Sequence, residues 1–192
     1  MKLVIFDFDG TLVNLDIPWE QAKAEAVQLA KSHEIDVDPN LPMMEVSNIL
    51  AGYPDTRDPL HLAFVRYESR CVESKAYTVF PEMISLVKDL NGQNLVLGIA
   101  SANCVPTIEK VLSDAGVKDM FDVILGRESV KKNKPSPDQL LAIMEKFKIP
   151  KEDVIFIGDS IYDELAAKAA DVRFFNINGH GEKIQKLRDI LL

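Results

Sequence analysis

The sequence predicts an α/β fold, a doubly wound Rossmann-like parallel sheet with a small α-helical domain inserted after its first strand. Two observations predict it. Short, continuous apolar runs alternate with amphipathic stretches at helical period, the pattern of strands covered on both faces by helices. One segment, from about residue 16 to 77, interrupts that alternation with helical patterning and no convincing strand.

The first run is Leu3-Val4-Ile5-Phe6. Comparable runs are Leu95-Val96-Leu97-Gly98-Ile99-Ala100, Asp122-Val123-Ile124-Leu125, Val154-Ile155-Phe156-Ile157 and Val172-Arg173-Phe174-Phe175. Amphipathic stretches lie between and after them, at 82–90, 107–115, 138–147, 161–170 and 182–191. These place the core at residues 1–15 and 78–192. Within 16–77, a first helix runs through Trp19, Ala22, Ala26, Leu29 and Ala30. Two more are expected near 43–50 and 59–74, with Pro39, Pro42, Pro54 and Pro59 at the joints. Ligands of open α/β sheets bind at the carboxyl ends of the strands, so a module inserted there is placed to act as a cap.

Composition narrows the function. With 22 basic and 30 acidic residues the chain carries a net charge of −8, which argues against a nucleic-acid partner. No apolar run approaches the ~20 residues that span a bilayer. Asp7 and Asp9 break the apolar start, so it reads as a buried strand of a cytoplasmic protein and not as a signal peptide. Cys71 and Cys104 are too few for a disulfide framework or a thiolate metal site. His33, His61 and His180 show no metal-ligand spacing.

The chemistry is concentrated in Asp7-Phe8-Asp9-Gly10-Thr11-Leu12, where the first strand ends in a glycine turn. Carboxylates two residues apart on a strand face the same side. Their repulsion calls for a cation, and hard oxygens with room for water suit Mg²⁺. One carboxylate can then act as nucleophile and the other as proton shuttle. A bare pair of acids would also serve as strand-end caps, and the full string is what singles this one out. It resembles the first motif of the haloacid dehalogenase-like hydrolases, and the insertion resembles, in place and size only, the helical cap of that family's phosphoglycolate phosphatase and β-phosphoglucomutase branch.

Three further segments fit that resemblance in order. Ser101 closes an apolar strand and is followed by Ala102-Asn103 and a helix starting near Pro106, so hydroxyl and backbone N–H groups are available to phosphate. Lys134-Pro135-Ser136-Pro137-Asp138 precedes a helix. Ser136 reads as its N-cap, Pro137 as its first residue and Gln139 as the capping-box partner. That accounts for Ser136 and Pro137 but not for Lys134, a cation placed to neutralise an anion, with Lys131 and Lys132 as rivals. Gly158-Asp159-Ser160-Ile161-Tyr162-Asp163 ends another strand, with Asp159 as a metal ligand. Asp163 is both the acid of a Ser160-x-x-Asp163 capping box and an outer member of the metal site.

The resemblance implies a Mg²⁺-dependent phosphatase acting on a small phosphorylated metabolite, as a monomer or homodimer. Asp7 would be the nucleophile and Asp9 the acid–base. Ser101 and Lys134 would assist, with Thr11, Ser101, Ala102, Asn103 and Lys134 around the phosphate and Asp7, Asp9, Asp159 and Asp163 around the metal. An acid at Asp9 favours phosphoryl transfer over dehalogenation, since a departing halide needs no proton. Arg57, expected between two helices of the insert, is a candidate for the leaving group. Alternatives are a β-phosphoglucomutase-like phosphotransferase, a phosphonate hydrolase using Lys23 or Lys31, and a non-catalytic phosphate-binding or interaction protein.

Overall fold

The computed structural model describes residues 1–192. It divides into two compact units, one of Met1–Leu15 with Tyr77–Leu192, the other of Asp16–Ala76. The first has the expected α/β architecture. Five parallel strands, β1 (Leu3–Phe6), β4 (Val96–Ala100), β5 (Val123–Leu125), β6 (Val154–Gly158) and β7 (Arg173–Asn176), lie in the order β5-β4-β1-β6-β7. β1 therefore sits between strands reached by crossovers in opposite directions, and the crevice of such a sheet opens at its carboxyl end. All four β1 residues are fully buried, which explains its lack of alternation. One covering layer packs Leu140 and Ile143 of α6 (Asp138–Phe147) and Ala166 and Ala167 of α7 (Ile161–Ala170) on Leu3, Ile5 and Phe156. On the other face Phe6 meets the edge of Phe121 at 6.2 Å. The remaining helices of this unit are α4 (Pro81–Leu90), α5 (Val105–Asp114) and α8 (Glu182–Leu191).

A ribbon absent from the sequence reading joins this unit. β2 (Val13–Leu15) pairs antiparallel with β3 (Tyr77–Val79), Leu15 opposite Tyr77 and Val13 opposite Val79. Tyr77 thus belongs with the core, one residue earlier than expected. Strands of three residues are too short for alternation to announce them.

The helical unit holds α1 (Trp19–Ser32), α2 (Met43–Ala51) and α3 (Pro54–Glu73). Ala26, Val27, Ala30, Val46, Leu50, Leu60 and Phe64 form its core, with Trp19 tilted against Phe64 at 6.4 Å. Here the sequence reading needs correction. Pro54 is the first residue of α3, where a missing N–H costs nothing, and Pro59 lies inside that helix. The early start is held by buried Thr56, whose hydroxyl reaches the carbonyls of Leu50 at 2.5 Å and Tyr53 at 3.0 Å. Arg57 is consequently on the first turn of α3 and not between helices. No helix of the molecule is long and apolar enough to cross a membrane.

Phe156 is the largest test of the sheet core. Its ring is fully buried, 6.0 Å from Phe174 and 5.7 Å from the Lys134 ammonium. Phe156→Ala is expected to cost about 3–5 kcal/mol, read as a fall in the urea midpoint.

Candidate active site

Sheet register assembles the site. Phe6 aligns with Ile99 on β4 and with Ile157 on β6, so the residues just past each strand emerge together at one edge. Asp7 N–H donates to the Ile157 carbonyl at 2.8 Å, extending the ladder by one step and fixing Asp7 beside the β6 terminus. Its side chain is almost fully buried and meets the Lys134 ammonium at 2.7 Å. Lys134, 3% exposed, arrives from the loop between β5 and α6 and contacts Asp163 at 2.5 Å with the same ammonium. Lys131 and Lys132 are exposed, so burial selects Lys134 among the three.

One ammonium does not balance the acids around it. Burial, then repulsion from Asp163, push the Asp7 carboxyl up to about 7, although Lys134 pulls it the other way. Burial and Asp163 also raise Asp159, against Lys134 and His180. Burial works against the charge on Lys134, but Asp163 and Asp7 together hold its pKa above the usual lysine range. Oxygens of Asp7, Asp159 and Asp163 all lie within 4.8 Å of one another.

Asp163 holds two positions at once. In the capping box at the start of α7, its Oδ2 accepts from Ser160 N–H at 3.0 Å and Ser160 Oγ at 2.5 Å, while Ser160 Oγ accepts from Asp163 N–H. Its Oδ1 accepts from Lys134. Both oxygens are engaged and the residue is fully buried, so its influence on the site is through Lys134 and through its charge. A Cβ on Gly158 would stand 2.6 Å from the Asp163 side chain, so only glycine fits there.

The turn after β1 presses against Asp159. Gly10 has φ +84°, and a Cβ there would lie 2.4 Å from the Asp159 carboxylate. Thr11, fully buried, points its hydroxyl towards Asp159 Oδ1 at 3.5 Å. Half-buried Asp9 accepts from Leu15 N–H at 2.8 Å through Oδ1, which holds its carboxylate beside the ribbon strand β2.

Ser101 and Asn103 are buried beyond β4. Ser101 Oγ donates to Asn103 Oδ1 at 3.1 Å and accepts from Asn103 N–H at 3.2 Å, so the loop closes on itself. Ala102 is half-buried between them. Two residues that the sequence reading did not assign to the site hold this loop. Buried Gln139 donates to the Ser101 carbonyl at 2.7 Å and the Gly126 carbonyl at 2.9 Å. Arg127 donates to Ala102 O through its guanidinium and to Asn103 O through its N–H, at 2.9 Å for the latter. The capping box expected of Ser136 and Gln139 does not form. Pro137 occupies the N-cap without a side-chain bond, Ser136 Oγ turns to Asp138 at 2.5 Å, and Gln139 serves the distant loop instead. Arg57, in the helical unit, is exposed and donates to the Ala51 carbonyl at 3.2 Å.

Residues 4–177 match the model of the haloacid dehalogenase-like hydrolase family. The chain belongs to that family. It is a hydrolase of the phosphatase type. It is 28% identical over 185 residues to a protein named phosphoglycolate phosphatase from Photorhabdus laumondii, covering 88% of this chain and 77% of the relative. Among solved structures, a subfamily IA hydrolase of this superfamily from Geobacter sulfurreducens aligns over 100% of this chain and 97% of its own, with TM-score 0.64 at 21% identity. CbbY from Rhodobacter sphaeroides, solved with phosphate, aligns over 91% and 84% with TM-score 0.64 at 21% identity. At those identities the two structures speak for the fold alone.

Gln139→Leu removes the donor from two buried carbonyls and is expected to cost about 1–3 kcal/mol. Gln139→Glu is expected to cost more, because a carboxylate would face the same carbonyls without a proton to give. Thermal melts of the two variants beside wild type check the order.

Proposed function

We propose that this enzyme hydrolyses a small phosphomonoester through an aspartyl-phosphate intermediate on Asp7. The observation that carries the reading is the buried Asp7–Lys134–Asp163 array with Asp159 alongside. It pairs an acidic nucleophile with a cation held beside it, at the carboxyl edge of the sheet. Asp7 attacks phosphorus, the bond to the substrate alcohol breaks, and Asp9 gives that alcohol its proton. Asp9 then takes a proton from water, which attacks phosphorus and restores the free Asp7 carboxylate. Lys134 steadies the charge on Asp7 and on the transferring phosphoryl group, while Thr11, Ser101, Ala102 and Asn103 surround its oxygens.

The residues present fit Mg²⁺. Three carboxylates crowd together, two of them with pKa values raised by burial and mutual repulsion, and hard oxygen donors suit this ion. Asp7 and Asp159 would hold it by side chain and Asp9 by its carbonyl, with Asp163 behind them. The chemistry it supplies when bound is charge neutralisation between an anionic nucleophile and an anionic phosphate. For the substrate we propose a phosphoglycolate- or sugar-phosphate-like ester, on the likeness to a relative named phosphoglycolate phosphatase. Discrimination between substrates is assigned to the helical unit, with Arg57 as its candidate cation.

Phosphate release from a panel including 2-phosphoglycolate, sugar phosphates and nucleotides, with and without Mg²⁺, tests the reading. Mg²⁺-dependent release by wild type and none by Asp7→Asn is expected. Absence of release across the panel, or an Asp7→Asn variant near the wild-type rate, refutes it. Transfer of phosphate to a sugar without release would identify a phosphotransferase instead.

Linkage gives a second prediction. The folded Asp7 pKa lies above its unfolded value of 3.8, so between 3.8 and about 7 the folded state binds more protons. Stability of the metal-free protein therefore falls as pH rises through that window. Asp7→Asn lacks this penalty. It is expected to raise the metal-free Tm by about 3 °C or more near pH 8, with the gain vanishing near pH 4 and shrinking when Mg²⁺ is added.

A further inference from the structure

The loop that follows β7 folds back onto the turn that carries Asp9. Gly179, His180 and Gly181 are three consecutive residues of positive φ, at +83°, +41° and +53°. Two are glycines, for which this backbone is easy; the middle one carries a side chain, and left-handed backbone disfavours a Cβ. A strained non-glycine residue persists where its surroundings hold it. Two contacts hold this one. The imidazole packs against Phe80, ring centroids 4.0 Å apart and planes tilted by 41°, and Nε2 lies 3.1 Å from the Thr11 carbonyl, 169 residues away in sequence. A carbonyl only accepts, so Nε2 carries the proton in that bond.

The Thr11 carbonyl belongs to a buried residue, where a polar group needs a partner. Phe80, beneath the imidazole, donates its own N–H to the Leu12 carbonyl at 3.0 Å. Successive carbonyls of the turn are therefore held by two residues in contact with each other, Thr11 by the His180 ring and Leu12 by the Phe80 N–H. The same turn bears on Asp159 through Gly10 and Thr11. Its amides at residues 11, 12 and 13 all converge on the Phe8 carbonyl, which ties the turn together.

We propose that His180 is a positioning residue of the active site, clamping the Asp9–Leu12 turn against Asp159 through its bond to the Thr11 carbonyl. The proposal rests on the phosphatase reading for its consequence, but the clamp itself is a property of the turn. Loss of such supporting bonds in comparable sites costs roughly ten- to hundredfold in activity.

Two variants isolate the bond. His180→Phe keeps a ring on Phe80 and removes the donor; His180→Gln removes the ring and keeps an amide donor. Both face the same positive φ, so backbone strain is common to them, and thermal melts confirm that each is folded. Turnover of p-nitrophenyl phosphate with Mg²⁺ is expected to show kcat lowered roughly tenfold in His180→Phe with KM unchanged, and largely recovered in His180→Gln. Amide hydrogen exchange at residues 10–13 is expected to quicken in His180→Phe and to stay near wild type in His180→Gln. Wild-type kcat in His180→Phe, or equal loss in both variants, overturns the proposal. If wild type shows no turnover of this ester or of the panel above, the phosphatase reading fails, and exchange alone decides: unchanged protection at 10–13 in His180→Phe overturns the clamp, and faster exchange upholds it.

Discussion

Burying one lysine between two aspartates is the constraint from which the rest of the site follows. Lys134, Asp7 and Asp163 are all at or below 6% exposure, and taking such charges out of water is costly unless each finds a close partner. Lys134 satisfies two acids with one ammonium, and Asp159 adds a third acid nearby. Burial first, and then the remaining excess of negative charge, raise Asp7 and Asp159. A fold selected for stability alone would not keep it, and sites poised for chemistry commonly trade stability in this way. Close crowding also dictates small neighbours, since a Cβ at Gly10 or Gly158 would stand within 2.6 Å of an acid.

Secondary structure and chemistry share residues here. Asp163 begins α7 through its capping box and, with its other oxygen, fixes Lys134. The orientation of the buried Lys134 ammonium is thereby tied to a helix start. Asp7 gains the same rigidity from the β1–β6 ladder, which its own N–H extends by one bond. Both groups are thus held before any ligand binds, and preorganised charge is the form in which electrostatics contributes most to catalysis.

The sheet and the acids were legible because their signals are local. The core strands read as mainly apolar runs, and Asp7 and Asp159 sit just beyond two of them, so strand ends and the order of the family's motifs together pointed to one edge. The β2–β3 ribbon was illegible because three-residue strands carry no period. At α3, Pro59 looked like a boundary, and nothing local disclosed that Thr56 anchors the turn before it. Gln139 shows a different limit. Its spacing from Ser136 fits a capping box, a local rule, yet its amide is committed to the Ser101 carbonyl, 38 residues earlier in the chain. Arg127 had no motif to mark it, and its contacts with Ala102 and Asn103 depend on β4 and β5 being neighbours.

These non-local contacts share a form. The loop after β1 is held at Asp7 by Lys134 from the loop after β5 and at Thr11 by the loop after β7. Gln139 and Arg127, from either side of the Lys134 segment, hold the loop after β4. Lys134 itself is held by Asp163, at the start of α7. The loops after β1, β4 and β5 are thus each held by a side chain from a distant segment of the chain. Residues joined in one network do not contribute independently. Loosening the loop after β5 would disturb Asp7 through Lys134 and Ser101 through Gln139 together. The four segments legible as separate motifs in the sequence therefore act in the folded chain as one mechanical unit, with Lys134 at the point where its carboxylates meet.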